Sequence, residues 1–129
     1  APVPADLHRI LVADDNVDGA QSLAALLKLD GHEVVTAHDG LEALDKATML
    51  KPDLILLDIG MPKMNGYEVC RTVRKQPWGA DVLIVALSGW GQSDDLRKSQ
   101  EAGFNGHLVK PVDHGALLKR LAELQEIRA

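Results

Sequence analysis

Short apolar runs recur five times along the chain, at 10–13, 34–37, 54–57, 82–87 and 108–109, and a stretch with helical spacing follows each. After the first, Val17, Ala20, Ala24 and Leu27 fall at i, i+3, i+7 and i+10, along one side of a helix that Gly31 can stop. Leu41, Leu44 and Ala47 repeat the spacing after the second run, and Tyr67, Cys70 and Val73 after the third. Ser93 and Asp113 stand where they can cap a fourth and a fifth helix, with Asp94 and Asp95 in the first turn of the fourth, where the helix dipole favours negative charge. Such alternation leaves few folds open. Parallel strands need a crossover, a helix usually supplies it, and the helices then cover both faces of the sheet. The predicted class is therefore α/β, a single doubly wound domain of five βα units. The first, third and fourth runs are nearly all apolar, as strands covered on both faces must be, whereas the fifth is short and the second is bordered by His32, Glu33 and His38. With strands 2 and 5 at the edges, the parallel five-stranded sheet takes the order 2-1-3-4-5.

Composition narrows the function classes. With 129 residues and a 46% apolar share, the chain can bury a core of its own. Cys70 is the only cysteine, so there is no internal disulfide and no Cys-rich zinc site, and a reducing, cytoplasmic compartment is expected. Lys and Arg number 14 against 19 Asp and Glu, a formal charge of −5, and both signs are scattered along the chain. That balance argues against direct nucleic-acid binding. No apolar run approaches the roughly 18 residues of a membrane span, and the N-terminus lacks the order of a signal peptide, so no membrane insertion is expected. Residues 1–6 read as an N-terminal linker or tail and 7–129 as the folded domain. A domain that closes a longer chain and a free-standing protein that has lost its initiator Met both suit this pattern.

In a doubly wound sheet, ligands bind beyond the carboxyl ends of the strands. Strand 1 ends in Asp14-Asp15, strand 3 in Asp58, strand 4 in Ser88 and strand 5 in Lys110-Pro111, while strand 2 contributes only Asp39-Gly40. Each has an ordinary alternative: Asp14 or Asp15 can cap the first helix, Asp58 and Ser88-Gly89 can be turn residues, and Lys110 can be a solvated surface lysine. Together, four adjacent strand ends bring three carboxylates, a hydroxyl and an ammonium to one place. Crowded carboxylates oppose one another's ionisation, and a divalent cation is the usual remedy; oxygen-only ligands indicate Mg²⁺ or Mn²⁺. A carboxylate is also a nucleophile toward phosphoryl groups, whose charge a metal and a lysine can neutralise.

The stretches Ile10-Leu11-Val12-Ala13-Asp14-Asp15-Asn16, Leu56-Leu57-Asp58-Ile59-Gly60-Met61-Pro62 with Asn65-Gly66, Ala86-Leu87-Ser88-Gly89 and Leu108-Val109-Lys110-Pro111 resemble the receiver domain of two-component response regulators. The resemblance runs from about Leu7 to Leu124 and implies a flavodoxin-like (βα)5 fold. It implies that Asp58 accepts a phosphoryl group from a histidine kinase or a histidine phosphotransfer protein. Asp15, Asp58 and the backbone carbonyl of Gly60 would bind Mg²⁺ directly, with Asp14 acting through water. Lys110 would pair with the phosphoryl oxygens, and Ser88 would move in to hydrogen-bond one of them. The Lys110-Pro111 bond would be cis. The implied protein is a switch, not an enzyme apart from self-phosphorylation and autodephosphorylation, and its output partner is unspecified. Receivers often pair through the fourth helix, fifth strand and fifth helix, so a homodimer stays open. So does a parent chain that is a hybrid histidine kinase.

Two departures stand out. Three residues before Lys110 the family often carries Tyr or Phe, which swings inward when the strand-4 hydroxyl moves; here that position is His107, either a polar, titratable substitute in the switch or an ordinary edge-strand histidine. Gly60 and Trp90, two residues beyond Asp58 and Ser88, stand where the resembled family tunes access of water to the phosphoryl group. The alternative function is a Mg²⁺-dependent aspartyl phosphatase of the haloacid dehalogenase type, which shares nucleophile, metal and lysine. That family places its nucleophile after the first strand with a second acid two residues on, where this chain has Gly60.

Overall fold

A computed structural model of the chain describes residues 9–61, 63–88, 100–110 and 112–128. The strands are β1 (Arg9–Ala13), β2 (Glu33–Ala37), β3 (Leu54–Asp58), β4 (Leu83–Ser88) and β5 (Gly106–Val109). They form one parallel sheet in the order β2-β1-β3-β4-β5, as the apolar pattern requires. Helices α1 (Val17–Leu29), α2 (Gly40–Leu50) and α3 (Gly66–Arg74) and a C-terminal helix (His114–Arg128) flank it. The predicted tail 1–6, the Ser93 cap of the fourth helix, Trp90 and the Lys110-Pro111 bond lie outside the described residues.

Successive strand side chains point to opposite faces, and that two-residue period divides the core. Ile10, Val12, Leu54, Leu56, Val85 and Leu87 face a layer built by Ala20, Leu23, Ala24 and Leu27 of α1 and by Leu117 of the C-terminal helix. Leu11, Ala13, Ile55, Leu57, Ile84 and Ala86 face the layer that holds Ala43 and Ala47 of α2 and Val69, Cys70 and Val73 of α3. Both faces of β1, β3 and β4 are thus covered, which is why their sequences do not alternate.

The α1 stripe faces the core as the spacing predicts at Ala20, Ala24 and Leu27, with Leu23 joining it and only Val17, 43% exposed, falling outside; α2 differs in phase, since Leu41 is 52% exposed while Gly40, Ala43 and Ala47 turn inward. Periodicity defines a stripe, but backbone approach selects which stripe faces the sheet. At Gly40 that approach is extreme: a Cβ there would lie 1.8 Å from the carbonyl oxygen of Met64, so only glycine fits. The capping residues also differ. Asn16, not an aspartate, caps α1 by accepting from the Gly19 N–H, and Asp39 caps α2. Asp113 accepts from the Ala116 N–H at the start of the C-terminal helix, as its position predicts.

Arg74, at the end of α3, ties that helix to the sheet. Its guanidinium donates to the carbonyls of Gly79, Val82 and Gly103 and to Asn105 Oδ1, which in turn accepts from the Ile84 N–H. A lysine cannot reproduce a planar fork with several donors. Arg74→Lys is therefore expected to cost about 2–3 kcal/mol, because buried carbonyls lose their donors. Urea unfolding checks this; an unchanged midpoint would contradict it.

Candidate functional site at the carboxyl end of the sheet

The strand ends gather as the topology dictates. Asp14 follows β1, Asp58 ends β3, Ser88 ends β4 and Lys110 follows β5, and the adjacency of β1, β3, β4 and β5 puts these positions side by side. Carboxylate oxygens of Asp14, Asp15 and Asp58 all lie within 4.8 Å of one another, the one such cluster of potential metal-ligating side chains among the described residues. Because Asn16 serves as the helix cap, neither Asp14 nor Asp15 is consumed in that role. Asp14 Oδ1 accepts the Asn16 N–H at 3.0 Å, and the Asp14 carbonyl accepts from His38 Nδ1 at 3.1 Å, which places the ring proton on that nitrogen.

Lys110 bridges the buried pair. Its Nζ lies 3.3 Å from Asp14 Oδ1 and 3.3 Å from Asp58 Oδ2. Its own backbone N–H donates to the Ser88 carbonyl at 2.7 Å, so the β4–β5 pairing sets where the amine begins. Asp58 Oδ1 accepts the Gly60 N–H at 3.0 Å. Gly66, at the start of α3, lets the loop close on Asp58: a Cβ there would lie 2.7 Å from the Asp58 carbonyl oxygen. A second clasp joins the same loop to the next βα junction, through Lys63 Nζ and Asp39 Oδ2 at 3.5 Å.

Burial pushes the Asp14 carboxyl above its ordinary value; the Asn16 N–H opposes that and the neighbouring charge of Asp58 reinforces it. Burial acts upward on Asp58 as well, but the Gly60 N–H and the Lys110 ammonium outweigh it, and this carboxyl lies below its ordinary value. For Lys110, burial alone would lower the ammonium, and the charges of Asp58 and Asp14 reverse that and raise it. Asp58 is thus the more readily ionised of the two aspartates, Asp14 the one whose charge is opposed, and Lys110 the cation between them.

Ser88 is 1% exposed, and its Oγ lies 2.8 Å from His107 Nε2 across the β4–β5 pairing. This contact is a relation that linear spacing does not show. His114, from which the sequence predicts nothing, pairs with Asp30 at 2.9 Å. Arg74, Asn16 and His38 support the site or its scaffold without a motif that announces them.

A family model for the response regulator receiver domain matches residues 10–122. The chain belongs to that family. It is 42% identical over 116 residues to the transcriptional regulatory protein PrrA of Mycobacterium tuberculosis, an alignment that takes in 90% of this chain and 49% of PrrA. The chain spans about half the length of the curated relatives it matches. Among solved structures, the chemotaxis response regulator CheY4 of Vibrio cholerae superposes with a TM-score of 0.84 at 34% identity, covering 92% of this chain and 98% of that one. The receiver domain of the sensor histidine kinase PA1611 from Pseudomonas aeruginosa, solved with a magnesium ion coordinated in its active-site cleft, superposes at 0.81 with 31% identity, over 91% of this chain and 96% of that one. The chain is thus a receiver domain, a phosphoacceptor switch with an aspartate cluster. The aspartyl-phosphatase alternative is not supported: Asp58 ends the third strand, and no acid stands at position 60. Among the described residues no helix is long and apolar enough to cross a membrane.

The raised Asp14 carboxyl has a sign that can be measured. Its charged form is less favourable in the folded than in the unfolded chain, so it lowers stability as pH rises through the folded value and costs nothing below the ordinary value of 3.8. In metal-free buffer at pH 7, Asp14→Asn is expected to raise the melting temperature by about 2–5 °C. The gain should fade as the pH approaches 4, and calorimetry at the two pH values checks both parts.

Proposed function

We propose that Asp58 is the phosphoacceptor and that it takes its phosphoryl group from a phosphorylated histidine of a kinase or phosphotransfer protein. The observation that carries this reading is the Lys110 bridge, which holds a buried, ionised carboxylate against a cation at 3.3 Å. An Asp58 oxygen attacks phosphorus, the P–N bond of the donor breaks, and the departing imidazole nitrogen keeps the electron pair and takes a proton. Lys110 already pairs with Asp58 and follows the charge as it moves onto the phosphoryl oxygens. The Gly60 N–H holds Asp58 Oδ1 and fixes the carboxylate plane.

The clustered oxygens of Asp14, Asp15 and Asp58 suit a hard divalent cation such as Mg²⁺ or Mn²⁺, and the Gly60 carbonyl completes the proposed set. Such an ion, when bound, supplies neutralising charge for the phosphoryl oxygens. Ser88, one strand over, is the hydroxyl that then reorients toward the modified carboxylate. The surface that changes is the β5 edge, where Val109 is 48% exposed, together with the C-terminal helix; its partner is a protein, a second copy of the chain included.

Incubation with acetyl phosphate and Mg²⁺ is expected to give a single phosphoryl adduct by intact-mass spectrometry. Asp58→Asn should abolish it while leaving the circular dichroism unchanged, and a labelled Asp58→Asn protein would overturn the assignment. Lys110→Ala should slow uptake by about tenfold or more. The same variant should bind Mg²⁺ at least as tightly as the wild type, since it removes a competing cation; weaker binding would contradict the role given to Lys110.

A further inference from the structure

We propose that His107 is a positioning residue that acts through Ser88, and that in the phosphorylated protein its Nε2 carries the proton and donates it to the Ser88 hydroxyl. The inference rests on Asp58 being the phosphoacceptor. Its ground is the 2.8 Å contact between Ser88 Oγ and His107 Nε2.

A serine hydroxyl has one proton and two lone pairs, and a neutral imidazole has one donor nitrogen and one acceptor. The contact therefore has two forms. With Nε2 bare, Ser88 donates to the ring and has no proton left for anything else. With Nε2 protonated, the ring donates to Ser88, and the Ser88 proton is free to reach another acceptor. Ser88 is 1% exposed, so bulk water is poorly placed to substitute for either partner. A phosphoryl oxygen on Asp58 accepts only. Once it is present, a continuous chain runs from His107 Nε2–H to Ser88 Oγ and from Ser88 O–H to the phosphoryl oxygen, and only the second form allows it. If Nδ1 holds the proton beforehand, it leaves to water through the half-buried ring while Nε2 takes one up, with no net proton change. Because β5 is an edge strand, the change in His107 reaches the surface directly.

This device differs in kind from an aromatic ring that changes rotamer. Its readout is the position of a proton and the coupling of two residues, neither of which follows from packing alone. The first test is a long-range ¹H–¹⁵N spectrum of the imidazoles in the full-length ¹⁵N-labelled chain, before and after treatment with acetyl phosphate and Mg²⁺, with the adduct verified by mass in the same tube. A protonated Nε2 on His107 in the phosphorylated sample is the expected result. An adduct with Nε2 bare overturns the inference and leaves the phosphoacceptor reading intact, whereas absence of any adduct removes both.

The second test is a double-mutant cycle on the phosphoryl half-life. Ser88→Ala and His107→Phe should each change the half-life by about threefold or more, the size one uncharged hydrogen bond commands, and the double variant should match Ser88→Ala alone. His107→Gln, whose amide can donate at the same reach, should restore most of the wild-type value. Independent, multiplying effects of the two single changes would show that His107 does not act through Ser88.

Discussion

A lysine ammonium shared by two buried carboxylates is the interaction on which the rest of this molecule depends. Three acidic side chains within 4.8 Å of one another repel, and burial of Asp14 and Asp58 makes those two charges costlier still, while Asp15 is exposed. Lys110 lies 3.3 Å from one oxygen each of Asp14 and Asp58, and these contacts make the arrangement tolerable without making it comfortable. The asymmetry between the two aspartates follows. Asp58 has the Gly60 N–H as well as the amine and stays ionised easily; Asp14 is driven upward by burial and by its neighbour. A site left short of positive charge in this way suits a cation, and the carboxylate proposed as the phosphoacceptor is the one whose ionised form is favoured.

The scaffold holds the carboxylates in place by close backbone approaches rather than by bulk. Gly66 lets α3 begin against the Asp58 carbonyl, and Gly40 lets α2 begin against the Met64 carbonyl, so the loop after β3 is held from both sides. The Asp39–Lys63 pair spans the same junction, though with Lys63 63% exposed it contributes little beyond orientation. At the opposite end of the sheet, Arg74 and Asn105 fasten α3 to the entries of β4 and β5. The ends that carry chemistry are therefore borne by strands whose positions are set at both termini.

Much of this was legible in the residues. Five apolar runs with helical spacing between them determined strand order, and the order brought Asp14, Asp15, Asp58, Ser88 and Lys110 to one end without any coordinate. Local chemistry was less legible. Asn16, Asp14 and Asp15 are all good cap formers, and only the backbone path shows that Asn16 takes the role and spares the other two. The phase of α2 is not readable from hydrophobicity, because Leu41 is more apolar than Gly40, yet the close approach of Gly40 to the Met64 carbonyl turns Gly40 inward and leaves Leu41 exposed. Arg74 carries no such signal, since its partners are chiefly main-chain carbonyls that have no sequence signature.

His107 shows where spacing stops and geometry begins. Its position three residues before Lys110 marked it as a departure from an aromatic, but the two residues differ in what they can transmit. A phenyl ring responds to a neighbour's movement through volume, and it registers whether a space is open. An imidazole bonded to a buried hydroxyl registers direction, because each of its nitrogens either gives or receives a proton. Pairing across β4 and β5 puts His107 opposite Ala86, two residues before Ser88, and the half-buried ring spans that offset to bring Nε2 to Ser88 Oγ. On the proposed reading, the hydrogen-bond sense of this single pair links a modified Asp58 to the β5 edge without a large displacement of the backbone.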